Sequence, residues 1–267
     1  MKPGARAIVT TAFLLGPYTL AAGASPAMDR LSVTGDGATL SGTSGGGGGS
    51  FNWLHNFDPD SLVTLGAEHQ KLGPAHWAFG SVSGALTRAM GDDRYTFSAE
   101  AHEGAGDDGP HPLKYRIEAA AVTGTYFHQL SATLEYRRVD VETTHGHLPK
   151  FQLAYLWTPH WLTTVSYAQS AGGNVGARLT SARVDHYSPV VNLLAGGTYG
   201  QASATLFGVG INVPGNVLRE GYLGASRTFS RRTEASLTGD FQNLSGTKRV
   251  TVTLGFIFHL GSLGAQH

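Results

Sequence analysis

The chain has 267 residues with 19 basic and 19 acidic side chains, so its formal charge is zero and it lacks the positive surplus typical of a nucleic-acid-binding protein. Charged residues make up only 14%, while glycines number 37 and there is no cysteine. The composition excludes a disulfide framework and a thiolate metal site, and it favours a β-protein with many tight turns.

The N-terminus has the pattern of an export signal. Lys2 and Arg6 precede an apolar stretch over residues 7–15, and small residues follow as far as Ala22-Gly23-Ala24. This order is typical of a secretory signal peptide, and the apolar stretch is too short to remain as a membrane-spanning helix. We therefore expect residues 1–24 to be cleaved. No later segment reaches the ~18 apolar residues of a transmembrane helix.

Residues 25–49 are polar and rich in glycine and serine, and they end in the run Gly45–Gly49. This composition is typical of a flexible linker, although a first strand over 31–41 is the alternative. The last seven residues, 261–267, are expected to form a short tail.

Residues 50–260 alternate between apolar and polar side chains, with the period of two that is typical of β-strands. Three weaker segments, 50–57, 75–87 and 184–198, accompany ten clear ones: 61–70, 94–102, 114–127, 130–138, 151–157, 160–170, 202–212, 221–229, 233–243 and 249–260. Bacterial single-chain barrels have even strand numbers. Either 31–41 is a fourteenth strand or one weak segment is not a strand, which gives 12–14.

Short turns alternate along this region with longer loops, as in an up-and-down antiparallel β-barrel that crosses an outer membrane. The longer loops are predicted at 71–75, 103–112, 142–149 and 170–181. A soluble sandwich is the alternative, but its strands are usually about five or six residues long. Seven aromatic residues near strand ends are assigned to interfacial girdles: Trp53, Phe57, Trp157, Trp161, Tyr167, Tyr222 and Phe229. Over 249–260, we expect the apolar parity to meet lipid and Arg249, Thr251 and Thr253 to face the lumen.

Nine ionisable residues are the candidates for lining the lumen or selecting a solute there: Arg94, Glu100, Arg116, Glu118, Glu135, Arg137, Glu234, Asp240 and Arg249. Glu68 is predicted on the same inward parity. Both signs occur in nearly equal number. Such residues either pair and narrow the barrel or form a constriction that selects a solute by charge.

No residue set indicates catalysis. Serine, histidine and aspartate occur without a spacing that singles out a triad, and no glycine motif lies between a strand and a helix. His145 with His147, and His102 with His111, are predicted to lie in long loops and offer imidazole ligands, but two histidines without a third ligand do not specify a metal. We therefore expect no enzyme activity, no cofactor and no metal.

The closing hairpins "EGYLGASRTFSRRTEASLTGDFQN" and "TKRVTVTLGFIFHL" resemble those of Gram-negative outer-membrane barrels, and the chain is similar to the YaiO family over roughly 50–260. This resemblance rests on strand rhythm and aromatic placement, and no site residues are carried over from it. It implies a protein of the outer membrane, with longer loops extracellular and short turns periplasmic. The partners implied are outer-membrane lipids, the barrel-assembly machinery and envelope polysaccharide components.

The expected function is a channel or export conduit for a small or polymeric, polysaccharide-type solute. The alternative is a non-conducting structural or surface-binding barrel whose lumen is closed by paired charges, and a lipid-modifying barrel enzyme ranks third.

Overall fold

The computed structural model describes residues 29–41, 45–58, 60–72, 75–107, 112–141, 144–173, 176–202, 217–230, 232–244 and 246–260. The predicted signal peptide, the tail 261–267 and all but the first residue of the predicted strand 202–212 lie outside these residues. No helix in the described part of the chain is long and apolar enough to cross a membrane.

The described residues form one closed antiparallel barrel of 14 strands, as the alternation predicted. The strands are β1 Asp29–Leu40, β2 Gly46–Asp58, β3 Ser61–Leu72, β4 Ala75–Met90, β5 Asp93–Asp107, β6 Pro112–Tyr126, β7 Leu130–Val141, β8 Thr144–Thr158, β9 Trp161–Gln169, β10 Ala177–His186, β11 Asn192–Ala202, β12 Val217–Ser230, β13 Thr233–Leu244 and β14 Thr247–Leu260.

Each strand pairs with its neighbours in the chain, and β1 closes the barrel by pairing with β14. This seam runs from Asp29 opposite Leu260 to Leu40 opposite Arg249. The segment 31–41 therefore belongs to the fourteenth strand that an even count required. Closure leaves no unpaired sheet edge, which a barrel surrounded by hydrocarbon must avoid.

The barrel has two distinct rims. The terminal rim holds Asp29 and Leu260, the two ends of the barrel, together with the turns between β2 and β3, β4 and β5, β6 and β7, β8 and β9, β10 and β11, and β12 and β13. The loop rim holds the other seven connections, of which 203–216 is the longest in sequence. The predicted separation by length is only partial. Connections at the terminal rim have two to five residues, whereas those at the loop rim range from the two-residue connections 73–74, 142–143 and 245–246 to 203–216.

Side chains of β14 alternate between the two faces of the wall. Val250, Val252 and Leu254 are 45%, 51% and 48% exposed on the outer face, whereas Arg249 and Thr251 are buried inside the barrel. Paired residues of neighbouring strands share a face, so this alternation extends round the wall through the register. The predicted inward facing of Arg249, Thr251 and Thr253 is confirmed, and contact of the opposite face with lipid stays a prediction.

The glycine run 45–49 is not a linker, because residues 46–49 form the first part of β2. Because these glycines have no side chains, a hydrogen bond can cross over β2 on the inner face. Gln70 of β3 donates from Nε2 to Asp36 Oδ1 of β1 at 2.8 Å, across the intervening strand β2. A Cβ on Gly48 would lie 2.4 Å from Gln70 Cδ, so a side chain there would block this crossing.

Gly48→Ala is therefore expected to destabilise the barrel by about 1–3 kcal/mol, the usual cost of overpacking. Denaturant unfolding in detergent or lipid would measure the change. Gly37→Ala is the matched control on β1, since a Cβ there meets no atom within 4 Å. Equal unfolding midpoints for the two variants would contradict the proposed role of Gly48.

The predicted strand 184–198 is also wrong, because it contains the turn 187–191 between β10 and β11. Part of the predicted loop 170–181 is instead the start of β10. Ser188 organises the turn: its Oγ donates to the Val191 carbonyl at 2.6 Å, and its backbone N donates to Asn192 Oδ1 at 3.2 Å. Ser188-Pro189 is a turn signal, but the apolar residues on both sides of it led to the prediction of one continuous strand.

Candidate functional site: the barrel lumen

The strongest charge cluster of the lumen lies on β5, β7 and β8. Arg137 Nη2 contacts Glu135 Oε1 at 2.9 Å and Glu100 Oε1 at 3.2 Å, and Lys150 Nζ lies 3.5 Å from Glu135 Oε2. His102 Nε2 extends the cluster at 3.6 Å from Glu100 Oε2. We refer to Glu100, His102, Glu135, Arg137 and Lys150 as the Glu–Arg cluster.

Small residues of β6 make this cluster possible. Ala119 lies in register between Glu100 of β5 and Arg137 of β7, and the next inward residue of β6 is Ala121, opposite Glu135. A methyl group leaves space above β6, so the Arg137 side chain reaches over that strand to Glu100. The sequence run Ala119–Ala121 thus positions an ion pair between two strands that are not neighbours.

A second cluster, the acidic wall, lies on β12–β14 and β1–β3. Its acidic members are Asp36, Glu68, Glu220 and Asp240, and its only basic member is Arg249. Gln242 Nε2 donates to Glu220 Oε1 at 2.7 Å, and Arg249 Nε donates to Thr251 Oγ1 at 3.0 Å. Arg249 also interacts electrostatically with Asp240, Glu220 and Asp36.

Two members of the acidic wall, Asp36 and Glu220, were not among the predicted lumen residues. Asp36 lay in the predicted linker, and Glu220 directly precedes the predicted strand 221–229. Both residues lie on inward positions. Asp36 comes two residues after the inward Thr34, and Glu220 comes two residues after the inward Leu218. Extending the alternation outward from the clear segments would have found both.

A third group lies on β10–β12. Arg183 Nε donates to both carboxylate oxygens of Asp185 at 2.9 Å. Tyr222 of β12 lies over Gly196 of β11, where an added Cβ would come within 2.5 Å of the Tyr222 hydroxyl. Tyr222 was predicted for the outer aromatic girdle, but it faces the lumen because its parity is that of Glu220 and not that of the exposed Leu223.

The turn beyond β10 adds a buried phenol at the terminal rim. Desolvation by burial, reinforced by the Asp185 carboxylate, raises the pKa of Tyr187 to about 12. The phenol therefore stays protonated at neutral pH and adds no charge to this mouth of the barrel.

Hydroxyl groups line much of the inner wall. Five inward pairs of threonine or serine lie within 2.7–3.1 Å across neighbouring strands: Thr34–Ser50, Thr87–Thr96, Thr123–Thr133, Thr125–Ser131 and Ser181–Thr198. Each hydroxyl both donates and accepts, so this surface is polar and uncharged.

Toward the loop rim, the inner face becomes apolar. The buried side chains there are Leu40, Trp77, Phe79, Val139, Leu148, Ala168, Ala177 and Leu218. Leu148, Ala168 and Ala177 pack together as one cluster. We call these side chains the apolar mouth, and they adjoin the charged clusters directly, since Leu148 is in register with Arg137 and Phe79 is in register with Glu68.

Seven of the nine predicted lumen residues take inward positions. Glu100, Glu135 and Arg137 belong to the Glu–Arg cluster, and Asp240 and Arg249 belong to the acidic wall. Arg94 and Glu234 lie inward near the terminal rim, where Arg94 Nη2 contacts Asp60 Oδ1 at 3.0 Å.

The predicted lumen position of Arg116 and Glu118 is wrong, because both side chains lie on the outer face. Glu118 is in register with Ala101 of β5, whereas the inward Glu100 is in register with Ala119. Arg116 pairs with Glu118, and Arg138 of β7 contacts Asp140 at 2.8 Å beside them. Opposite charges pair here on the outer face of the loop-rim half of the strands, so polarity alone does not mark the inner face.

The histidines also lie differently from the prediction. His102 is in β5, and His145 and His147 are in β8, so these three are not in loops; His111 lies outside the described residues. Within the described ranges, no group of three histidine or carboxylate side chains is arranged to hold a metal ion.

Solved outer-membrane structures share this fold at low sequence identity. The CymD monoaromatic hydrocarbon channel is 9% identical, with a TM-score of 0.60 over 88% of this chain and 89% of that one. Omp33 of Acinetobacter baumannii is 12% identical, with a TM-score of 0.57 over 88% and 100%. A bacterial polysaccharide outer membrane secretin is 9% identical, with a TM-score of 0.53 over 88% and 99%.

No family model matches the chain, and no curated protein matches it in sequence. The resemblance to the YaiO family therefore stays a prediction. What the structural likeness shows is the fold: the chain is a closed β-barrel of the kind found in outer-membrane proteins.

Proposed function

We propose that the protein is a passive outer-membrane channel for small hydrated solutes or a polysaccharide chain, with the loop rim extracellular and the terminal rim periplasmic. The observation that carries this proposal is a closed barrel of 14 strands with a polar inner wall. Barrels of about eight strands are filled by side chains, whereas 16–18 strands leave an aqueous channel. A barrel of 14 strands is closer to the second size than to the first.

The wall chemistry supports an uncharged, hydroxyl-bearing solute. The hydroxyl pairs can exchange hydrogen bonds with each other for hydrogen bonds with a passing solute. Most charged groups of the Glu–Arg cluster have a partner of opposite charge within 3.6 Å. This pairing lowers the electrostatic field that a solute meets in the lumen. This is the chemistry expected of a path for sugars.

The second candidate is a non-conducting barrel, and one arrangement favours it. The Glu–Arg cluster ties β5, β7 and β8 together through partly buried ion pairs, and the apolar mouth narrows the loop rim. A lumen closed in this way would leave a structural or surface-binding role.

Conductance in planar bilayers separates these candidates. The wild-type protein is expected to give discrete steps, and Glu135→Gln and Arg137→Gln to shift the reversal potential in a KCl gradient in opposite directions. Removing a carboxylate leaves the lumen more positive and favours anions, and removing a guanidinium does the reverse. Arg116→Gln is the control, since Arg116 lies outside the barrel.

Absence of steps in the wild-type protein would contradict the channel and favour the non-conducting barrel. Equal shifts for Arg116→Gln and Arg137→Gln would contradict the assigned lumen. The absence of enzyme activity stays a prediction, and incubation with outer-membrane lipids followed by product analysis tests it.

A further inference from the structure

The outer face of the barrel carries two different charge patterns near the loop rim. On β5–β7, positive and negative side chains alternate and pair, as in Arg116 with Glu118 and Arg138 with Asp140. On the outer face of β9–β14, the described residues include no carboxylate at all, because Asp185, Glu220, Glu234 and Asp240 all face inward.

Three exposed cations lie at the loop-rim end of this second region: Arg178 at the start of β10, Arg219 at the start of β12 and Lys248 at the start of β14. Asn243 of β13 is in register with both Arg219 and Lys248, so these two cations are two strands apart. With strands about 4.8 Å apart, their Cα atoms are separated by about 10 Å. We refer to Arg178, Arg219 and Lys248 as the cationic face.

The cationic face adjoins the apolar surface directly. Arg219 is in register with Tyr199 of β11, which is 60% exposed, and the next outward residue after Lys248 is Val250, in register with Phe241. Exposed tyrosines mark the interface between hydrocarbon and headgroups on a barrel. The three cations therefore lie at the height of lipid headgroups and not in the hydrocarbon.

Amide side chains complete the surface between the cations. Gln201 of β11 is in register with Arg178, and Tyr167 donates its hydroxyl to Gln169 Oε1 at 2.6 Å on β9. Guanidinium and ammonium groups bind phosphate oxygens with charge-assisted hydrogen bonds, and amides add donors for sugar hydroxyls. The composition fits a ligand that combines phosphates, sugar hydroxyls and acyl chains.

We propose that the cationic face binds the phosphates of the lipid A portion of lipopolysaccharide, with the acyl chains lying against the neighbouring apolar wall of β11–β14. Lipid A fits this surface because its phosphates are opposite in charge to the three cations, and its acyl chains can lie on the apolar surface that directly adjoins them. This proposal rests on the orientation proposed above, which places the loop rim in the outer leaflet. It does not require the lumen to conduct.

The test uses the full-length mature protein in detergent and measures lipid binding by native mass spectrometry. The probes are bis-phosphorylated lipid A, dephosphorylated lipid A and phosphatidylglycerol. The wild-type protein is expected to bind bis-phosphorylated lipid A most tightly. Arg219→Ala/Lys248→Ala is expected to weaken that binding about tenfold or more, since each surface cation adds substantially to the attraction for anionic lipid.

Lys114→Ala/Arg116→Ala is the matched control, because it also removes one lysine and one arginine from the outer face near the loop rim. It is expected to change binding less than threefold. Equal losses in the two double variants, or binding of phosphatidylglycerol as tight as that of lipid A, would overturn the proposal. Retained heat-modifiable mobility on electrophoresis verifies folding. A lipid-binding barrel that fails to conduct would contradict only the channel.

Discussion

Replacing Leu254 with arginine is expected to destabilise the folded barrel by about 2–4 kcal/mol, the cost of a lipid-facing arginine near the bilayer midplane. Leu254 lies halfway along β14 and is 48% exposed on the outer wall. If hydrocarbon covers this wall, the guanidinium must either enter a medium without hydrogen-bonding partners or distort the bilayer to reach water. Reversible urea unfolding in phospholipid vesicles measures the difference.

Thr253→Arg is the matched control on the adjacent residue. Thr253 faces the lumen and is in register with Asp36 of β1. An arginine there meets a carboxylate in a polar interior, so we expect a much smaller loss of stability. If both variants unfolded at the same urea concentration as the wild type, the outer wall would not be covered by lipid, and the membrane assignment would fail with it.

Alternation predicted the fold because the two faces of a barrel strand meet different environments. From 249 to 260 one face lies on the outside of the wall and the other faces the lumen, so every second residue reports the same environment. The strand number and the seam then follow from closure, which requires an even count and gives 31–41 a partner in β14.

The same rule failed where the two environments become alike. Arg116 and Glu118 lie near the loop rim, where both faces are wet, so their polarity carries no information about facing. Gly46–Gly49 has no side chains to alternate, and its role depends on Gln70 and Asp36, which are far away in sequence. Asp36 and Glu220 were missed because the alternation was not followed beyond the clearest segments.

The contacts within the lumen could not be predicted from strand pattern at all. Arg137 meets Glu100 because β6 presents alanine between them, and this depends on the register of three strands. Alternation gives a residue's face but not its height, and the height is set by the stagger accumulated from strand to strand. The strand register therefore determines which charged side chains of the lumen come into contact.

Arg137 should matter far more to stability than its neighbour Arg138, although the two residues are chemically identical. Arg137 contacts the carboxylates of Glu100 and Glu135, whose side chains are only 9% and 15% exposed. Arg137→Ala leaves these two acids close together without their shared cation. We expect a loss of about 3–5 kcal/mol, the range found when one member of a buried ion pair is removed.

Arg138→Ala removes the same side chain from the outer face, where Arg138 is 55% exposed and pairs with Asp140. An exposed pair contributes about 0–1 kcal/mol, so this control should unfold close to the wild type. Adding Glu135→Gln to Arg137→Ala is expected to recover part of the loss, because one of the two carboxylates that faced Arg137 becomes neutral. Urea unfolding of the wild type, Arg137→Ala, Glu135→Gln and the double variant measures the coupling. A double variant less stable than Arg137→Ala alone would show that charge repulsion is not the cause.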